Sequence, residues 1–457
     1  MTASRRTALH LVLLLTPAIT ALAAPVPLAN PDGSALTVTT FGEIDRANPF
    51  FRPMGNGRSC ATCHQEADGW SLTPRALQAR FAASGGNDPV FRPVDGANSP
   101  LAPTATLDQK RLAYSMLLTK GVIRVGMPMP AGAEFTLVRS DDPYGFASAR
   151  ELSLFRRPLP STNLNFAASV MWDSRETKAD AASTICLRDT RPAQCFATMD
   201  SNLLRQANNA VTGHAQAAQG LSAAEQRAIV NFESALTTAQ ITSNAVGSLT
   251  DAGAQGGPAR LAAQPFYFGI NDVQSNDYRT GAPFKRNAFT LFGAWRTSTP
   301  QRASVARGEA IFNNRPMNIA QVPGFSDTLR LPLQRGTCTS CHDAPNAGSH
   351  SVARLFNTGV AAAALRTPDM PLYTLRNKAT GDVVETSDPG MAMVSGKWSD
   401  ISKFKTPNLR ALAARAPYFH DGSARDLEGV VRFYDRRFRM GLTPQESADL
   451  AAFLKVL

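Results

Sequence analysis

Metal-binding and cross-linking residues are scarce in this chain. Its 457 residues include six cysteines and six histidines, and no histidine occurs between His64 and Trp172. Beyond the first two dozen residues no apolar run approaches the ~20 residues needed to span a bilayer, so the mature chain is expected to have no transmembrane segment. No basic cluster or aromatic–basic motif appears, which argues against nucleic acid as a partner. No βαβ pattern surrounds the two Cys-x-x-Cys pairs, which argues against thiol–disulfide redox chemistry. Acids are fewer than bases, 36 against 47, for a net charge of +11. Hydrophobic residues at 43% and charged residues at 18% fit a globular protein rather than a disordered one. The length exceeds one usual hydrophobic core and points to two domains.

The N-terminus reads as an export signal. Arg5 and Arg6 precede an apolar stretch at 8–21, and Ala21-Leu22-Ala23 is a small-x-small cleavage site. The stretch is short for a membrane anchor and Pro17 interrupts it. Residues 1–23 are therefore read as a signal peptide, with the periplasm as destination. Their removal takes two arginines and no acids, leaving +9. That excess suits steering toward an acidic partner or serves solubility alone.

Four cysteines form two motifs, Cys60-Ala-Thr-Cys63-His64 and Cys338-Thr-Ser-Cys341-His342. Cys-x-x-Cys-His is the attachment pattern of c-type haem. One short turn presents both sulfurs to the porphyrin vinyl groups and the imidazole of His64 or His342 to the iron. A Cys₄ zinc site is the rival reading. A histidine after each pair, wide separation and an export signal favour two covalently bound haems. Cys186 and Cys195 remain, and in an exported chain a structural disulfide is expected.

An internal repeat sets the architecture. Leu221-Ser222 with Glu225, and Leu442-Thr443 with Glu446, each form a Ser/Thr-x-x-Glu capping box ahead of an amphipathic helical run. Upstream, Pro160-Ser-Thr-Asn163-Leu164 leads to Trp172-Asp173, and Pro407-Asn408-Leu409 leads to His420-Asp421. The expected fold is mainly α: two cytochrome c-type haem domains in tandem with long loops. The first would span 24–240 with a loop-rich insertion at 89–160. A connector follows at 241–300, and the second domain spans 301–457.

These motifs, with Phe404-Lys-Thr-Pro-Asn-Leu-Arg410 and Pro417-Tyr-Phe-His-Asp-Gly422, resemble the bacterial di-haem cytochrome c peroxidases, the MauG-like enzymes included. The resemblance covers most of the mature chain and fits the insertion least. It implies hydrogen peroxide as substrate at the first haem. It also implies electrons from a small redox protein, of cytochrome c or cupredoxin type, entering through the second haem. Trp172 matches the tryptophan between the haems. The family's distal histidine is missing, which implies an open first haem. Its pocket glutamate, which follows a Gln-Ala pair, is replaced: Gln206-Ala207 is followed by His214, with Gln216 at the glutamate's position. His214 suits proton transfer to and from peroxide, or ligation of the iron. Ala424 stands where a ligand of the second haem is expected, leaving Met393, Met440 or His350 as candidates. His420 suits a structural or propionate contact. Arg156 and Arg157 either pair with haem propionates or face solvent. Arg157 takes the place of an asparagine at the family's calcium site, which argues against calcium. The rival functions are an electron-transfer cytochrome without turnover and a MauG-like or oxygenase-type oxidation of a larger substrate.

Overall fold

The computed structural model describes residues 25–177, 184–187, 194–197, 199–325 and 335–457, with 184–187 and 194–197 described by backbone only. The expected export signal at 1–23 lies outside these residues.

The repeat is visible in the backbone. In each half a left-handed residue, Asn163 at φ 59° or Ala411 at φ 56°, opens a 3-10 turn at Leu164–Phe166 or Leu412–Ala414. A second left-handed residue, Met171 or Phe419, both at φ 66°, then precedes Trp172-Asp173 or His420-Asp421. Ser174 and Gly422 close each corner, again at positive φ. The structural register thus pairs Asn163 with Ala411, three residues beyond the Asn408 that sequence alone suggests.

A helix closes each half, and both capping boxes form. Ser222 N donates to Glu225 at 2.9 Å and Glu225 N to Ser222 Oγ at 3.3 Å, opening the helix Ala223–Ala235. Thr443 and Glu446 repeat the exchange at 2.9 and 3.2 Å, opening the helix Pro444–Lys455. Each box satisfies donors the helix cannot, a contribution of about 1 kcal/mol. The second closing helix crosses Pro300–Asn314 at Gly308, where an added Cβ would sit 2.0 Å from the Asp449 carbonyl oxygen. Only glycine allows that approach. Phe289, Phe312 and Phe453 pack edge to face around it. In the first half Phe50, Trp70 and Phe232 play the same part.

The fold is not mainly α. It is mixed, 32% helical and 17% strand. Gly33–Thr39 pairs antiparallel with Leu236–Ser243, setting Thr37 opposite Thr238 with their hydroxyls 2.9 Å apart. More than half of the 89–160 stretch lies outside helix and strand, but it also holds regular elements. It contains the helices Leu107–Ala113 and Ser115–Lys120 and the strands Ile123–Met127, Phe135–Asp141 and Leu152–Arg156. Phe135–Asp141 pairs with Leu372–Asn377, which also pairs with Val383–Thr386. The strands escape a local reading because their partners are distant in sequence and their alternation is interrupted by Thr, Gly and Gln. The β-branched content of Leu236-Thr-Thr-Ala-Gln-Ile-Thr-Ser243 was the available signal. Among the described residues no helix is long and apolar enough to cross a membrane.

Candidate functional site

The two Cys-x-x-Cys-His segments are structural twins. Each is a single 3-10 turn, Cys60–Thr62 or Cys338–Ser340. The hydroxyl at the turn's end locks its entry: Ser59 N donates to Thr62 Oγ1 at 2.9 Å and Thr337 N to Ser340 Oγ at 3.0 Å. The backbone then turns the histidine inward, with His64 N donating to Cys60 O at 3.0 Å and His342 N to Cys338 O at 3.1 Å. In both, Nδ1 donates to a backbone carbonyl six residues on, Trp70 O at 3.0 Å or Gly348 O. Those two residues share a left-handed backbone, at φ 61° and 74°. With Nδ1 occupied, Nε2 of each imidazole is the nitrogen left for a metal. Burial lowers the pKa of both rings, His342 to about 4, so each is neutral. Burial pushes the thiols of Cys60, Cys338 and Cys341 up to about 12 and that of Cys63 to about 11.

Each turn opens into a large apolar cavity. The first, about 1570 Å³ with its mouth included, is lined by Cys60, Cys63 and His64, and by Met54, Leu203 and Ile229 among others. The second, about 1510 Å³, is lined by Cys338, Cys341 and His342 with Phe356, Val431 and Leu454 among others. One wall is common to both: Arg157, Pro158, Trp172, Lys405 and Asn408 line each cavity. Around this wall buried cations collect without carboxylates. Lys405 Nζ donates to Ser169 O at 2.6 Å, and burial drops its pKa to about 8. Arg410, two residues past the wall's Asn408 but in neither lining, is 1% exposed, donates from Nη1 to Asn346 O at 3.1 Å, and burial lowers its pKa to about 10. Arg415 is lowered to about 10 by the same cause. Buried cations are costly unless an anion joins them. A large apolar cavity with a neutral histidine and thiols at one side and a buried cation, Lys405, in its wall has the chemistry to hold haem c.

His214 and Trp172 lie at these cavities, whereas Gln216 does not. His214 lines the first and donates from Nδ1 to Asp95 Oδ2 at 2.6 Å. Gln216 is absent from the lining, and its side-chain carbonyl accepts from Asn56 Nδ2 at 3.0 Å. Trp172 lines both cavities, donating from Nε1 to Arg157 O at 2.8 Å with its ring 6.4 Å from that of His420. Among the three candidates for the second iron, Met440 lines the second cavity. Met393 instead packs in a separate core with Phe135 and Tyr373. His350 is engaged elsewhere: Nδ1 donates to Cys341 O at 3.1 Å, and Nε2 accepts from Arg354 at 3.0 Å. It sits with Asp272 and Asp343 in a buried cluster that Arg354 compensates by pairing with Asp272 at 2.8 Å. Arg156 neither faces solvent nor lacks a carboxylate. It is 2% exposed and pairs with Asp173 and Asp388. Arg157 donates to the carbonyls of Lys120, Leu72 and Arg415. The side chains of Cys186 and Cys195 lie outside the described residues, although their backbones are direct cross-strand partners.

Several lining residues escaped the sequence reading. Asp95 and Arg58 form a buried ion pair, and Asp95 also holds the partly exposed ring of His214. Tyr434 faces the second cavity beside His420, the residue expected to make a structural or propionate contact, which stacks on Phe404 at 4.3 Å with both ring nitrogens unpartnered. Glu233 lines the first cavity, 5% exposed, with Oε1 unpartnered, and burial pushes its pKa up to about 8.

No protein-family model matches the chain. The cytochrome-c peroxidase IdrP2 of Denitromonas iodatirespirans is 33% identical over 144 residues, covering 29% of this chain and 38% of that protein. The cytochrome-c peroxidase IdrP1 of the same organism is 32% identical over 143 residues, covering 26% and 36%. The cytochrome c551 peroxidase of Nitrosomonas europaea is 31% identical over 121 residues, covering 26% and 30%. The chain thus spans less than two fifths of the length of these curated relatives. Among solved structures, a MauG-like protein associated with microbial copper homeostasis aligns over 97% of this chain and 95% of its own, at 14% identity and a TM-score of 0.37.

Proposed function

We infer that this chain, a partial-length relative of the di-haem cytochrome c peroxidases, is itself a periplasmic di-haem peroxidase. It reduces hydrogen peroxide with electrons that a small redox protein delivers through the second haem. The observation that carries the reading is the pair of twin Cys-x-x-Cys-His turns, each facing its own cavity, with Trp172 and uncompensated cations in the wall between.

Cys60 and Cys63 would hold one haem and Cys338 and Cys341 the other, with His64 and His342 offering Nε2 to the irons. Haem so bound supplies the redox chemistry of peroxide cleavage. The chain's own residues do the rest. His214 takes a proton from peroxide at the ring nitrogen that Asp95 leaves free and returns it to the departing oxygen. Trp172, present in both cavity walls, is the side chain through which the two sites are coupled. Lys405, in the lining of both cavities, would meet a haem propionate. Besides His342, the second cavity offers His420, Tyr434 and Met440 as ligating groups. Cys186 and Cys195 form a disulfide, because directly opposed residues on antiparallel strands stand at about the Cα spacing that such a bond requires.

The test is the oxidised protein as isolated. It should show a high-spin ferric component and react with peroxide without prior reduction. A wholly low-spin spectrum that His214→Ala converts to high-spin would make His214 an iron ligand and overturn its role as base.

A further inference from the structure

We propose that Asp95, anchored by Arg58, is a positioning residue for the first cavity: it holds His214 in one tautomer and one orientation, with Nε2 free. The inference rests on His214 being the group that moves the peroxide proton.

The carboxylate is built in on both sides. Asp95 is 5% exposed, and Oδ2 accepts from His214 Nδ1 at 2.6 Å while Oδ1 accepts from Arg58 Nη1 at 2.5 Å. Arg58 is itself 3% exposed and fully committed. Its Nε and Nη2 donate to Pro89 O and Val90 O, both at 2.8 Å. Its Nη1 also reaches the carbonyl of His214 at 3.1 Å, a carbonyl that Asn56 Nδ2 holds from another side at 3.0 Å. So one guanidinium grips the histidine's backbone and, through Asp95, its ring.

The loop carrying Asp95 is equally fixed. Its carbonyl accepts from Arg124 N at 2.7 Å. The next residue, Gly96, lies so close to the chain that a Cβ there would stand 2.8 Å from Val90 O. Burial alone would raise the carboxyl's pKa, but the bonds from His214 and Arg58 hold it below the ordinary carboxylate range. An ionised carboxylate only accepts, so it fixes the proton on Nδ1 and leaves the other nitrogen as the base. Arg58 lies just before Cys60, so the same segment that would attach the haem also sets the histidine's aim.

The experiment is stopped-flow reaction of the full-length, haem-loaded, oxidised protein with hydrogen peroxide. Asp95→Asn should slow the reaction by about 10- to 100-fold and move its pH profile, with the resting spectrum unchanged and a lowered melting temperature, because Arg58 loses its buried carboxylate. Added to His214→Ala it should cost nothing further, because its effect passes through that ring. If Asp95→Asn folds poorly, Asp95→Glu decides the matter: it keeps the carboxylate and should retain most of the rate that His214→Ala loses. A slow His214→Ala beside a wild-type rate in Asp95→Asn overturns this inference alone, as do losses that multiply in the double variant. A wild-type rate in His214→Ala overturns the role of His214 and this inference with it.

Discussion

Trp70 and Gly348 occupy the same place in the two halves, and only one is free of strain. Each carries the carbonyl that receives Nδ1 of its histidine, and each is left-handed. Glycine adopts that backbone at no steric cost, whereas for other residues it costs about 1–2 kcal/mol. Trp70 offsets the cost by full burial and by donating from Nε1 to Thr37 Oγ1 at 2.9 Å. Glu233 presents the opposite balance, a buried carboxyl with an unpartnered oxygen. Its folded pKa of about 8 lies above the ordinary 4.5, so the folded protein keeps a proton that the unfolded chain releases. The stability this contributes is fully present below pH ~4.5 and is lost as pH rises toward 8, by up to about 1.4 kcal/mol per pH unit. Urea unfolding at pH 5 and pH 8 should therefore show a drop that Glu233→Gln abolishes. The same drop in the variant would place the pH sensitivity elsewhere. Legibility at this scale followed sequence distance. Cys-x-x-Cys-His is readable because its chemistry needs consecutive residues. Asp95 meets His214 across 119 positions, and nothing local marks it. Gln216 failed for a related reason: its register near a cavity did not determine which way its side chain turned.

Helices were legible and strands were not. A capping box and an apolar stripe lie within one segment, so both closing helices were read correctly with their caps. Strand pairs such as Gly33–Thr39 with Leu236–Ser243 are defined only by the partner, about 200 residues away. The 89–160 stretch is rich in loops, but its strand Phe135–Asp141 was not legible because Leu372–Asn377 completes it from far along the chain. One short hairpin bears on the proposed disulfide through its backbone alone. Thr184–Leu187 pairs with Gln194–Ala197, placing Cys186 opposite Cys195. Peptide mapping without reductant should recover these two cysteines in one linked peptide, and a free thiol at either position would refute the disulfide.

At the scale of the molecule, the two halves are joined by buried charge as well as by strands. Arg156 links Asp173, in the first half's corner, to Asp388 in the second, with all three side chains at or below 2% exposure. Removing the cation would strand Asp388 and leave Asp173 with Arg175 alone, a loss of about 3–5 kcal/mol for a broken buried pair. Arg156→Met should lower the stability of the whole protein by that amount, measured by denaturant unfolding. A change under about 1 kcal/mol would show that the network is solvated or dispensable. The common wall of Trp172, Lys405 and Asn408 belongs to this scale too, since it exists only when both halves are folded together. The central claim is that the cavities on either side of that wall each hold a covalently attached haem. Mass spectrometry of the exported, denatured protein tests it most directly. The account predicts a mass increment of two haems, falling to one when either cysteine pair, Cys60 with Cys63 or Cys338 with Cys341, is changed to alanine. An increment of one haem or none in the wild-type chain would contradict it.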